Sequence, residues 1–126
     1  MNRSYDYIIV GAGLQGGLLS LAINHYQPEA SVLLVDDGDQ VGGNHTWSFH
    51  TGDIPECAHV WLDPVVSSRW SGYSVRFPQF ERRVNIPYAS INSHAFGKSI
   101  ERRFGLDPDA SISGIDSRGC GTGPAT

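Results

Sequence analysis

An α/β fold built on a parallel sheet is what the sequence predicts, and three observations within residues 5–44 predict it. A short, branched apolar run, Tyr7–Val10, is followed at once by Gly11, Gly13 and Gly16 in G-x-G-x-x-G spacing. A second apolar run, Ser31–Val35, ends in Asp36 and Asp37, about twenty residues beyond those glycines. A further glycine pair, Gly42-Gly43, then precedes Asn44. Strand, glycine turn, helix, strand and acid in that order form the β-α-β unit of a doubly wound sheet that binds a dinucleotide.

Each element has its own justification. Tyr7–Val10 suits a strand buried on both faces. Gly11 allows the chain to reverse from strand into helix. Gly11, Ala12 and Gly13 form the turn, and the bare Gly13 lets a pyrophosphate approach backbone N–H groups at the helix N-terminus. Gly16 brings the helix close to the first strand. Leu18, Leu19, Leu21, Ala22 and Ile23 make that helix apolar nearly all round, as expected of a buried crossover. Asp36 is placed to accept hydrogen bonds from an adenosine ribose, with Asp37 as the alternative ligand. No Arg or Lys lies between Ser31 and Asn44, which disfavours a 2′-phosphate and hence NADP as the ligand of this fold. Gly42 and Gly43 follow the acid where flavoproteins of the glutathione-reductase type commonly turn back along the flavin. The plainer alternative is a surface turn.

Residues 45–88 form an aromatic-rich insertion. His45-Thr46-Trp47-Ser48-Phe49-His50 is expected to be a packed loop with Trp47 and Phe49 inward. The plainer reading sets His45 and His50 near a polar wall, a second sets His45 near a flavin or its phosphate as a hydrogen-bond donor, and the spacing of the two histidines matches no metal motif. Trp61, Trp70, Tyr73, Phe77, Phe80 and Tyr88 are expected to build core rather than line a substrate cavity. Tyr73–Phe77 alternates with a period of two and stops at Pro78, consistent with an edge strand. Glu81-Arg82-Arg83 reads as a solvated charge cluster, with an interfacial role beside anionic lipid as the weaker alternative.

Tyr88–Ile91 predicts another strand, and Asn92 or Ser93 caps a helix running to about Phe104. Phe96, Ile100 and Phe104 share one face of it. Gly105 and Pro108 end it, and Ala110–Asp116 starts one more strand. Residues 1–118 therefore read as one domain carrying the insertion, and 119–126 as a loose, aberrant tail. A doubly wound fold needs more strands than this chain can hold, so the sheet is expected to be incomplete and the chain to be the front part of a longer protein.

Bulk composition excludes several classes. With 126 residues, 40% hydrophobic and 17% charged, the chain fits one globular domain. A net charge of −4 gives no footprint for nucleic acid. Cys57 and Cys120 form neither a disulfide framework nor a zinc spacing, which suits a reducing, cytoplasmic setting. Asp6 and the glycines interrupt the apolar region behind Arg3, against a signal peptide. No apolar run is long enough to span a bilayer.

Taken with these residues, the chain resembles the N-terminal part of the bacterial-type lycopene β-cyclases. The resemblance rests on Y-D-Y-I-I-V-G-A-G-L-Q-G-G-L-L, V-L-L-V-D-D and, most specifically, G-G-N-H-T-W-S-F-H from Gly42 to His50. It continues through Trp61, Pro64, Trp70, Tyr73, Val75–Pro78, Tyr88 and Phe96. The chain has Gly16-Gly17 where related cyclases often have Asn before the second glycine. The resemblance implies a Rossmann-like FAD-binding fold of the glutathione-reductase type and an enzyme that closes the ψ-ends of lycopene into β-ionone rings. It implies reduced FAD, NAD(P)H as electron donor, possible peripheral contact with a membrane, and no metal. FAD would be held by Gly11, Ala12, Gly13, Gly16, Asp36, Gly42, Gly43, Asn44 and His45. The catalytic acid is unknown and expected outside this chain, so 126 residues alone are expected to bind FAD poorly and not to catalyse. Two alternatives share the cofactor residues: another FAD-dependent oxidoreductase or monooxygenase with an apolar substrate, and a non-catalytic dinucleotide-binding module.

Overall fold

The computed structural model describes residues 4–38, 40–104 and 113–116. The expected β-α-β unit is present: β1 (Tyr7–Val10), α1 (Leu14–Tyr26) and β2 (Val32–Asp36). β1 and β2 pair in parallel, with Ile8 opposite Leu33 and Val10 opposite Val35. Asp6 closes the open end of this pair, its carboxylate accepting from the Ser31 N–H and hydroxyl, both at 2.8 Å.

The chain then leaves this sheet for a second one. β3 (Thr46–His50), β4 (Ser68–Trp70) and β7 (Tyr88–Asn92) form an antiparallel sheet with β7 in the middle. Between β3 and β4 run tight helical turns around a single-turn helix, α2 (His59–Leu62). They are pinned to the end of α1, where the Tyr26 hydroxyl donates to the Cys57 carbonyl at 3.2 Å and accepts from the Trp61 indole at 3.4 Å. Asp63, just after α2, takes both His59 and Arg69 on one carboxylate oxygen, at 3.0 and 2.8 Å. The His59 hydrogen bond, and after it the Arg69 guanidinium, hold that carboxyl below the usual carboxylate range.

β5 (Tyr73–Phe77) and β6 (Phe80–Val84) form a separate hairpin. Its two-residue loop, Pro78-Gln79, contains no positive φ. That rules out the turns usual in two-residue hairpins and leaves a type I geometry, for which proline is suited at the first corner.

Helix α3 (Ser93–Phe104) follows β7 directly. Asn92 caps it, its Oδ1 accepting from the N–H groups of His94 and Ala95 at 3.0 and 3.1 Å. Phe96, Ile100 and Phe104 are all buried, as their i, i+4, i+8 spacing predicts. They join Leu21 of α1, Ile9 of β1, Val32 and Leu34 of β2 and Ile91 of β7 in one core. At the crossing of α1 and α3, Gly17 lies directly against the Phe96 ring, leaving no room for a Cβ.

Four expectations need correction. First, the sheet is not purely parallel: β8 (Ser113–Asp116) runs antiparallel to β2. Alternation identifies a strand but not its direction, which the connecting path decides, and antiparallel edge strands on parallel sheets are common. Second, β1 is buried on one face only. Ile9 is in the core, whereas Ile8 and Val10 are 62% and 84% exposed. Leu19 leaves α1 half-uncovered in the same way. An apolar run records that a face can be buried, not which neighbour buries it.

Third, residues 46–50 form strand β3 rather than a loop, with Trp47 and Phe49 half-buried against the core. Fourth, the insertion's aromatics divide. Trp61 packs on the core, but Trp70, Phe77 and Phe80 are exposed. Tyr73 and Tyr88 instead gather around His50, whose Nε2 lies 3.2 Å from the Tyr73 hydroxyl. The expected stop at Gly105 and Pro108, residue 110–112 of the last strand, and the 119–126 tail lie outside the described residues. Among the described residues, no helix is long and apolar enough to cross a membrane.

Candidate cofactor site

The glycine turn is fixed to the sheet at its first residue. Gly11 has φ +104°, and its N–H donates to the Val35 carbonyl at 2.7 Å. That backbone angle is one an L side chain rarely adopts, so glycine is required at this bend. The turn then reaches Gly13, which caps α1 in extended conformation with no side-chain hydrogen bond. Nothing lies within 4 Å of a Cβ built there. The space in front of the helix N-terminus is open, and α1 has no acid in its first turn to compete for its unpaired N–H groups. Gly16 lies against the Gly11 carbonyl so closely that any Cβ would overlap it. This contact seats the helix on the turn.

The Ala12 peptide ties three parts of the site together. Its N–H donates to Asp36 Oδ2 at 2.6 Å, and its carbonyl accepts from the Gly42 N–H at 2.7 Å. The acid at the end of β2 is thereby held over the turn, and the Gly42-Gly43 pair is drawn against the same turn. The other Asp36 oxygen accepts from Gly38 N–H at 2.7 Å. A carboxylate has about four acceptor positions, and bonds from Ala12 and Gly38 among the described residues take two of them. Asp37 is exposed on the following bend.

Gly42 is buried with φ +91°, and Gly43 has φ +69°. A Cβ on Gly42 would stand 2.6 Å from the Ser93 carbonyl oxygen. Ser93 also grips the next residues: its hydroxyl accepts from His45 N–H and its own N–H donates to the His45 carbonyl, each at 2.9 Å. Beside this turn opens a cleft of about 310 Å³ lined by Gly43, Asn44, His45, Ser93 and His94, among others. No lysine, arginine or carboxylate is among its described lining residues. The His45 ring is exposed and 6.0 Å from that of Trp47.

The structure thus brings Gly11, Ala12, Gly13, Gly16 and Asp36 to one end of the parallel pair and joins Gly42 to them by one hydrogen bond. Gly43, Asn44 and His45 line the adjoining cleft. Sequence reasoning overlooked the Ala12 peptide as the junction, because main-chain bonds leave no residue signature. It also treated Ser93 only as a rival helix cap. A serine beside the capping Asn92, at the seam of strand and helix, was the available signal for the second role. Open N–H groups, a carboxylate over the turn, a bare approach at Gly13 and a second glycine bend within hydrogen-bonding reach fit a dinucleotide of the FAD kind.

The family described as "Lycopene cyclase protein" matches over residues 6–113. The chain is 46% identical over 105 residues to the lycopene beta-cyclase of Pantoea ananas, covering 83% of this chain and 28% of that protein. It is 42% identical over 100 residues to the lycopene beta-cyclase of Pseudescherichia vulneris, covering 79% and 26%. It is 32% identical over 124 residues to the lycopene beta-cyclase of a Paracoccus species, covering 94% and 32%. The chain therefore spans between about a quarter and a third of the length of these relatives. No solved structure matches it.

Proposed function

The chain belongs to the lycopene cyclase family, and we propose that it forms the FAD-binding part of a lycopene β-cyclase. In this reading the N–H groups at the start of α1 hold the FAD diphosphate, with Gly13 allowing it to lie against the main chain. Asp36 accepts from the ribose hydroxyls while its bond to Ala12 keeps it aimed. Gly42 and Gly43 let the backbone follow the flavin side of the molecule, and Asn44 and His45 offer polar groups in the adjoining cleft. The junction at Ala12, which couples turn, acid and second glycine bend, is the observation that carries the cofactor assignment.

The proposed reaction adds a proton to C2 of lycopene's terminal alkene and places a tertiary cation at C1. The C5=C6 double bond attacks C1, and loss of the C6 proton completes the ring, giving γ- and then β-carotene without net redox change. Bound FAD, kept reduced by NAD(P)H, supplies an electron-rich face for the passing positive charge. The chain's own contribution is positional. Gly43, Asn44 and His45 line a cleft for the flavin side of the cofactor, and the proton comes from an acid expected outside this chain.

Two measurements test this. Residues 6–113 are exchanged for the matching segment of the Pantoea ananas relative in cells that accumulate lycopene. β-Carotene is expected in the extract; a chimera that folds and binds FAD yet leaves only lycopene would overturn the cyclase assignment. Gly13→Ala then tests the cofactor site by itself. The open space at Gly13 predicts an unfolding free energy within about 0.5 kcal/mol of wild type. FAD affinity of the chimera carrying it, read by flavin fluorescence, should fall about tenfold or more, the effect of weakening one charge-assisted hydrogen bond. Unchanged affinity would remove the diphosphate from this turn.

A further inference from the structure

We propose that His94 is a second imidazole ligand of the cofactor and that, together with His45, it stabilises negative charge on the bound flavin. The inference rests on the FAD reading above and deepens it at one place. Both histidines line the cleft of about 310 Å³, along with Asn44, Asn92 and Ser93. A space of that volume is at the small end of ligand sites and takes one part of a dinucleotide. In the FAD reading Asp36 and the start of α1 serve the ribose and the diphosphate, which leaves this cleft to the flavin.

Main-chain bonds hold the two histidines in fixed register. The Ser93 N–H donates to the His45 carbonyl and the Ser93 hydroxyl accepts from the His45 N–H, each at 2.9 Å. Ser93 is buried, and His94 is the next residue. The His94 N–H is committed to Asn92 Oδ1 at 3.0 Å. With both backbone N–H groups in use, each residue brings its ring to the cleft. One ring comes from the turn before β3, its centroid 6.0 Å from that of Trp47, and the other from the first turn of α3. A neutral imidazole offers one N–H donor and an imidazolium two. A flavin that takes up two electrons and one proton carries a negative charge spread over N1 and the C2 carbonyl. N–H donors placed at that charge bind the reduced form more tightly than the neutral oxidised form.

The test uses the chimera that carries residues 6–113 in the Pantoea ananas relative. Its flavin midpoint potential is read against a reference dye at one pH, with dithionite as the source of electrons. His94→Leu should weaken reduced FAD about tenfold relative to oxidised FAD, a fall of about 30 mV for a two-electron couple. His45→Leu should do the same, and the double variant should lose about a hundredfold, or about 60 mV. His94→Gln keeps an N–H donor and should stay near the parent. All four should melt with the parent, because the bonds that fix residues 45 and 94 come from the main chain, Ser93 and Asn92. An unchanged potential in His94→Leu would overturn the proposal. So would an equal fall in His94→Leu and His94→Gln, which would assign the effect to packing. Gly13→Ala separates this inference from the reading beneath it, since weaker diphosphate binding lowers the affinity of both redox forms and leaves the potential in place. A chimera weakened by Gly13→Ala but unmoved in potential by the histidine variants keeps FAD at the glycine turn and removes His94 from the site.

Discussion

Phe96→Ala is expected to destabilise the chain by about 3–5 kcal/mol, a large share of the 5–15 kcal/mol typical of a domain. The size follows from position. The ring is fully buried and fills the space that Gly17 leaves on α1. It meets Trp47 of β3 edge-on, with centroids 5.7 Å apart, and it stands 3.5 Å from where a Cβ on Gly42 would be. One side chain therefore supports the helix that presents the glycine turn, the second sheet and the second glycine bend. Urea unfolding of the variant should show a lower midpoint, and FAD affinity should fall with it because the Gly42 bend loses its backing. Phe96→Leu, which conserves more volume, should lose less than about 1.5 kcal/mol. A Phe96→Ala chain as stable as Phe96→Leu would mean that α3 is not docked on α1 as described.

Sequence and structure agree where the controlling interaction is local. Tyr7–Val10 is a strand as read because a glycine bend ends it. Phe96, Ile100 and Phe104 are buried together because helical spacing leaves no other arrangement. Asn92 caps α3 because its short amide reaches the next two N–H groups. Agreement fails where a neighbour decides. The pattern of Ile8 and Val10 is equally apolar on both faces of β1, yet only the Ile9 side is covered. The aromatics at 77 and 80 resemble core residues in composition but stand at a hairpin tip. Strand β8 alternates, but its antiparallel direction depends on the chain's return path. The candidate site divides the same way. Glycine spacing and the acid were legible, while the Ala12 junction and the Ser93 grip on His45 consist largely of main-chain bonds.

The second glycine pair separates backbone strain from crowding, and three substitutions there should rank in a fixed order. Gly42→Ala should destabilise most, by about 2–4 kcal/mol. It places a side chain at φ +91° and presses a Cβ within 2.6 Å of the Ser93 carbonyl oxygen, a backbone atom tied to the start of α3. Gly43→Ala meets only His45 Cδ2, at 3.7 Å, so it carries the left-handed strain alone, about 1–2 kcal/mol. Gly43→Asn should lose less still, because asparagine tolerates this region at φ +69°. Their effects on FAD should part company with their effects on stability. Gly42→Ala loosens the bond from Gly42 N–H to the Ala12 carbonyl and so disturbs the turn itself. Both Gly43 variants instead project into the cleft beside Asn44 and His45 and should weaken FAD more than their stability loss suggests. Chemical unfolding together with flavin titration reads both quantities. Equal destabilisation by Gly42→Ala and Gly43→Ala would show that Ser93 does not confine the bend, and full FAD affinity in the Gly43 variants would take the flavin out of that cleft.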